Sequence, residues 1–288
     1  MGTFTLSEYT PDSAAQVPSS PSRWAKCKMP NYTWLDTNIW NPYDAYGSRK
    51  YNGWPMPMQM WTRVFDNQKR HWHVTYDVLG QMGAGNPYLD NISGHNYSFI
   101  KAYPHIQYEP VNLQARDSGT MNFQSVWNLG AKSTRWDLNQ FNAIWEIRLA
   151  KRGSNGAYIS GSWYIIQIEV LQARYGDPSK RANWTRNDPR PVTLSGYQWY
   201  AGNDFTDGYN DVYKFTLKGA GVSSDFSRTV SLNLFDFINY TTANASRYGY
   251  TRASSDAYVR ELNAGVEIGV GTSSTVTTYS YWGSAWKK

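Results

Sequence analysis

The sequence holds one cysteine, Cys27, which excludes a disulfide scaffold and a thiolate metal cluster alike. Its four histidines, His71, His73, His95 and His105, are too few and too scattered for a zinc-enzyme motif, and no metal is expected. Charged residues are scarce, 17% of the chain against a usual roughly 25%. The 28 Lys and Arg outnumber the 22 Asp and Glu, giving a net charge of +6. They form no block of like charge, so a mildly basic surface is expected rather than a nucleic-acid partner. No apolar run approaches ~18 residues, so no membrane partner is expected. There is no Gly-rich phosphate loop, and no cofactor is implied. Residues 1–30 lack the apolar stretch of a secretory leader.

What is present is aromatic. Aromatic residues make up 16% of the 288 residues, with 14 Trp and 23 Tyr. That content excludes a disordered chain, and a hydrophobic fraction of 41% suffices for a sizeable core. Residues 1–30, with Pro11, Pro18, Pro21 and Pro30, read as an N-terminal extension or early edge segment. Residues 31–288 read as a single domain, expected to be a monomer.

Within that domain, short runs rich in Val, Ile, Trp and Tyr alternate with Gly, Asn, Asp, Ser and Pro. The runs are His71–Leu79, Asn142–Leu149, Trp163–Leu171, Val212–Leu217, Leu262–Val270 and Thr275–Trp282. Period-two strands with such separators predict an all-β fold, a two-sheet sandwich or barrel. One stretch differs: Val230, Leu234, Phe237 and Ile238 follow helical spacing. Ser231 is a plausible N-cap, so one short helix is expected over Leu232–Thr242.

Three strands carry carboxylates. In Trp163–Leu171, alternation puts Ile166, Ile168 and Val170 on one face, and Ile165, Gln167, Glu169 and Leu171 on the other. The first set suits a core. The second face must meet water or line a cleft, since an unpaired buried charge is costly. In Phe141–Leu149, Ile144, Glu146 and Arg148 share a face, and Glu267 sits in a neutral, Gly-rich strand. An apolar setting of that kind raises a carboxyl pKa, as a general acid requires. Trp and Tyr rings stack on sugar faces while their polar edges reach water. Paired carboxylates in an aromatic-lined groove fit glycoside hydrolysis, one as acid and base and the other as nucleophile.

These residues resemble glycoside hydrolase family 12, the β-jelly-roll endoglucanases and xyloglucanases. Ile165–Gly176, ending in Ala173-Arg174-Tyr175-Gly176, is similar to that family's nucleophile strand and the turn after it. Val192–Trp199, Asp211–Phe215 and Leu232–Tyr240 resemble later strands and the single helix. Ala264-Gly265-Val266-Glu267 resembles the acid/base segment, Asn38-Ile39-Trp40 a cleft-lining Asn-x-Trp, and Lys101-Ala102-Tyr103-Pro104 a Lys-Ser-Tyr-Pro turn. The resemblance runs in order over roughly residues 34–283. It implies a concanavalin-like jelly roll, with the helix packed on the convex side. It also implies secretion and endo-acting cleavage of a β-1,4-linked glucan or related polysaccharide. In these terms Glu267 is the acid/base, Glu169 the nucleophile and Glu146 a group that orients it. Gln167, Asn38, Trp40, Trp54, Trp61 and Trp145 are the substrate-binding candidates.

The departures are as informative. Counted back from Tyr175-Gly176, the family's nucleophile position falls on Gln167, an amide that cannot attack as a carboxylate does. Glu169 is two residues further along the same face, roughly 7 Å. Trp145-Glu146 stands where the family has Tyr-Asp, the Glu-x-Met-x-Trp pattern is missing, and the N-terminal disulfide cannot form. Either a bulge shifts the strand and Glu169 acts, or the site has lost its retaining nucleophile. An inverting route through water, a glycan-binding module, or a lyase, transferase or cyclase in the same pocket all stay open.

Overall fold

A computed structural model gives the fold. It describes residues 26–29, 33–36, 58–64, 69–77, 103, 105–109, 112–117, 122–131, 141–173, 191–206, 210–220, 227–249, 251–268 and 273–283. For strands β1 (Lys26–Met29), β2 (Thr33–Asp36), β3 (Met58–Val64), β4 (Lys69–Asp77), β6 (Asn122–Ala131) and β14 (Ser273–Gly283), only the backbone is described. The others are β5 (His105–Tyr108), β7 (Phe141–Ala150), β8 (Trp163–Ala173), β9 (Val192–Leu194), β10 (Tyr197–Thr206), β11 (Asn210–Leu217), β12 (Ser227–Asn233) and β13 (Tyr258–Ile268).

The strands form two sheets. A nine-stranded sheet has the order β1-β2-β5-β13-β7-β8-β11-β10-β9, and a five-stranded sheet the order β12-β6-β14-β4-β3. Pairing is antiparallel except where β11 lies parallel to β8. The architecture is an all-β sandwich of jelly-roll type. Each of the six expected strand runs is strand over its described residues. Lys26–Met29 pairs with β2 at one end of the larger sheet, an edge strand within residues 1–30.

Alternation on the central strands gives the larger sheet two different faces. Ala143, Trp145, Ile147 and Leu149 of β7 join Ile166 and Ile168 of β8, Phe215 of β11, and Leu262, Ala264 and Val266 of β13 in one buried cluster. Val230 and Leu232 from β12 enter the same cluster, so the smaller sheet closes over this face. Fully burying each such side chain contributes about 1.5–3 kcal/mol, which makes this face the main source of stability.

Helix α1 (Leu234–Asn244) covers the rest of the apolar face. Phe237 makes edge contacts with Trp199 and Phe215, both at 5.1 Å between ring centroids. The helix thus lies on the face opposite the carboxylates. It starts two residues later than expected, because Val230 and Leu232 alternate into the core as strand residues paired with β6. The cap is Asn233 rather than Ser231; its side chain accepts from the Phe235 amide. Asp236 in the first turn accepts from the Ser195 hydroxyl at 2.8 Å and so ties the helix to the β9–β10 turn.

Candidate active site

The other face of the larger sheet is polar, and strand register fixes which groups meet. Glu146 on β7 is flanked by Gln167 on β8 and Asn263 on β13. Gln167 is in turn opposite Lys214 on β11, and Asn263 opposite Gln107 on β5. The next row holds Ile144, Glu169, Thr216, Gly265 and His105; beyond it Asn142 pairs with Glu267. Neighbours in register share a face, so three carboxylates (Glu146, Glu169, Glu267), four amides (Gln107, Asn142, Gln167, Asn263) and a lysine stand together on one surface.

A bulge shapes this surface. Ala143 pairs with Leu171 and Ile144 with Glu169, leaving Val170 as an extra residue on β8. The extra residue turns Leu171 into the core beside Val170, and not onto the carboxylate face where simple alternation puts it. One inserted residue shifts a strand by one position and reverses its faces. It therefore does not bring Glu169 into the place of Gln167, which keeps its register with Glu146.

Each carboxylate has its own partners. Gln167 Nε2 donates to Glu146 Oε2 at 3.3 Å, while Arg148 Nε donates to Glu146 Oε1. Arg148 also reaches Glu261 at 3.5 Å. Burial pushes the Arg148 guanidinium down, but Glu146 and Glu261 outweigh it and push it up, so it stays charged. Glu169 is fully buried; its Oε2 accepts from Thr216 at 2.9 Å and its Oε1 pairs with Lys214 at 3.7 Å. Glu267 Oε2 accepts from Asn142 Nδ2 at 2.8 Å.

Tyr103 completes the surroundings. Its ring stacks on His105 at 4.6 Å, and His105 Nδ1 donates to the Tyr103 carbonyl at 2.7 Å. Burial pushes the Tyr103 hydroxyl well above its ordinary value, and Glu146, Glu267 and Glu261 push it further against the opposing Arg148. The phenol therefore sits within the field of both Glu146 and Glu267 and stays neutral. Asn263 is fully buried, and neither of its amide atoms has a hydrogen-bond partner among the described residues. Leaving a buried amide unmade costs about 1–3 kcal/mol, so Asn263 is a polar group on this face with hydrogen-bonding capacity unused by the described residues.

The candidates from sequence divide clearly. Glu146, Gln167, Glu169 and Glu267 come to one face. Trp145 goes to the other: it is fully buried in the core, because neighbours along a strand point to opposite faces. Asn38, Trp40 and Trp54 lie outside the described residues; Trp61 is on β3 in register with His73, its side chain not described. Sequence reasoning passed over Lys214, Thr216, Asn142 and Asn263. The last was legible, since Asn263, Gly265 and Glu267 follow one another at period two. Among the described residues, no three His, Cys, Asp or Glu are grouped to hold a metal.

No protein-family model matches the chain, and no curated protein matches its sequence. Solved structures do match. A variant of the Cel12A cellulase of Rhodothermus marinus superposes with a TM-score of 0.56 at 16% identity, covering 90% of this chain and 95% of that one. The family 12 xyloglucanase of Bacillus licheniformis gives 0.53 at 18% identity, over 88% and 93%. The xyloglucanase domain of NopAA from Sinorhizobium fredii, solved with cellobiose, gives 0.53 at 14% identity, over 92% and 96%. The chain therefore has a remote form of the fold of family 12 glycoside hydrolases.

Proposed function

We propose that this protein is an endo-acting hydrolase of a β-1,4-linked glucan or related polysaccharide, and that it works through water rather than through a glycosyl-enzyme intermediate. The observation that carries the reading is the Glu146–Gln167 pair: a carboxylate held in register against an amide at the position where a retaining enzyme needs a second carboxylate.

Glu146 and Glu267 occupy adjacent strands, and Glu267 lies opposite Asn142, four residues from Glu146. That offset puts their Cα atoms roughly 14 Å apart on the sheet. An inverting pair needs its carboxyl groups ~6.5–9.5 Å apart, which the two side chains reach only by leaning toward each other across the Ile144 row, with a water molecule between them. Glu267 protonates the leaving glycosidic oxygen. Glu146 takes a proton from water as the water oxygen attacks the anomeric carbon, and the Gln167 amide orients Glu146. The bond to the leaving sugar breaks as the bond to water forms, and the anomeric centre inverts.

Glu169 has a different role in this reading. Its two oxygens are taken by Thr216 and by the Lys214 ammonium, which holds it against β11. The Asn263 amide supplies hydrogen bonds to a sugar hydroxyl or to water, and the fold's relatives include a xyloglucanase domain bound to cellobiose.

The test is the stereochemistry of the product. Proton NMR during hydrolysis of a β-linked oligosaccharide should show the α-anomer first. Initial β-anomer overturns the inverting assignment and returns the nucleophile role to Glu169. A second reading, a glycan-binding module with this groove, is favoured by the same Gln167. Oligosaccharide binding with no sugar released from any substrate would establish it.

A further inference from the structure

At one end of the carboxylate face, cations and aromatic rings alternate in a five-membered stack. The Arg260 guanidinium lies 4.0 Å from the Trp163 ring and 5.5 Å from the Tyr158 ring. The Arg152 guanidinium lies 4.9 Å from Tyr158 and 4.4 Å from Tyr258. The order is therefore Trp163, Arg260, Tyr158, Arg152, Tyr258. Both ends are fixed to the carboxylate face. Trp163 has the same parity on β8 as Gln167 and Glu169, and Tyr258 pairs with Ala150, which has the parity of Glu146 and Arg148 on β7. All five residues are partly exposed.

The charges of this end do not cancel. Glu261 is shared by Arg260 at 3.2 Å and Arg148 at 3.5 Å, and Arg148 also serves Glu146. Arg152 has no carboxylate within ion-pair distance among the described residues. Among the described residues its terminal nitrogens donate to the neutral Asn112 amide oxygen at 2.9 Å and the Tyr158 hydroxyl at 3.1 Å. Its Nε is a buried donor with no acceptor among the described residues. Each terminal nitrogen of Arg152 keeps a second N–H beyond these bonds as a donor for a carboxylate, and the end rings of the stack, Trp163 and Tyr258, offer faces to a sugar. Glu267 stands at the far end of β13, roughly 27 Å along the strand from Tyr258, so the stack and the acid lie at opposite ends of the face.

We propose that this stack is a binding site for a carboxylate-bearing sugar, so that the polysaccharide recognised by this face is an acidic glycan. The inference rests on the glycan reading of the site but names the charge of the substrate. Arg152 binds the carboxylate, Arg260 reinforces it, and the rings at the two ends of the stack, Trp163 and Tyr258, carry the sugar.

The experiment is calorimetric titration of the full chain with two probes of equal length. One is a neutral β-1,4-gluco-oligosaccharide; the other is the same oligosaccharide oxidised to carboxylates at its primary hydroxyls. The oxidised probe should bind at least about tenfold more tightly at low salt, the value of one charge-assisted hydrogen bond, and the advantage should shrink as salt rises. Arg152→Gln should remove the advantage and leave the neutral probe unaffected. Arg260→Gln, which leaves Arg152 in place, should reduce it in part and serves if the first variant does not fold. Equal binding of both probes overturns the acidic-glycan inference and leaves the glycan reading standing. Binding of neither overturns the glycan reading and the inference with it.

Discussion

Gln167 Nε2 donates to Glu146 Oε2 across 3.3 Å, and the two residues are direct neighbours in the β7–β8 register. This pairing ties the chemistry to the sheet, because a one-residue slip of either strand would turn that strand's side chain into the core.

Gln167→Glu replaces the amide donor with a second carboxylate against Glu146. Like charges at that distance force one group to hold a proton and raise its pKa. If Glu146 must be ionised to activate water, the acidic limb of the kcat/KM profile moves to higher pH, and activity at neutral pH falls by roughly 10²-fold, the usual worth of a general base. A rise in activity with retained anomeric configuration would instead show that this position takes up a nucleophile.

The Lys214–Glu169 pair is almost fully enclosed. Lys214→Met leaves Glu169 as an uncompensated buried charge and should cost about 3–5 kcal/mol in denaturant unfolding. The double variant Lys214→Met with Glu169→Gln should recover most of that loss. Activity of Glu169→Gln alone within a few-fold of wild type supports a holding role. Complete loss of turnover, restored in Glu169→Ala by azide with a glycosyl azide product, gives Glu169 the nucleophile role.

Asn263 sets stability against function. Asn263→Leu removes two hydrogen-bonding groups left unmade among the described residues while keeping the branch at Cγ, and should stabilise the fold by about 1–3 kcal/mol less the cost of its larger volume. The same change should lower kcat/KM by roughly tenfold, since one hydrogen bond to substrate or water is lost. A lower melting temperature with unchanged kinetics would contradict both halves.

Tyr103 predicts an alkaline weakness. Its folded-state pKa is raised by burial and then by Glu146, Glu267 and Glu261. Below about pH 10 the hydroxyl is protonated in both folded and unfolded chains and contributes no pH dependence. Above it the unfolded chain ionises first and binds fewer protons, so stability falls by about 1.4 kcal/mol per pH unit for this group. Tyr164, likewise raised by burial, adds a similar dependence. Tyr103→Phe should remove one proton's worth of the slope in urea titrations between neutral and strongly alkaline pH. An unchanged slope would contradict the placement of the phenol.

The parts legible in the sequence are those governed by alternation. Period two located the strands and put Glu146, Gln167 and Glu169 on polar faces. It failed at Leu171, where one extra residue at Val170 reverses the face, because a bulge depends on the partner strand and leaves no local signature. It failed at the helix start, where Val230 satisfies both periods and the pairing of β12 with β6 decides for strand. Trp145 was misplaced for another reason: a family motif was followed where parity with Glu146 pointed to the core. The roles of Lys214 and Thr216 follow only from the parallel β8–β11 pairing, a contact between residues 47 positions apart in the case of Thr216 and Glu169.

The most direct test is release of reducing sugar from a panel of polysaccharides: cellulose derivatives, xyloglucan, mixed-linkage glucan, xylan and mannan, with carboxylated forms beside the neutral ones. Wild type is run in parallel with Glu267→Gln, and oligosaccharide binding is measured for both. Hydrolysis by wild type, lost in Glu267→Gln while binding persists, is the expected outcome and identifies Glu267 as the proton donor. Equal hydrolysis by the two proteins, or none by a folded wild type on any substrate, would contradict it.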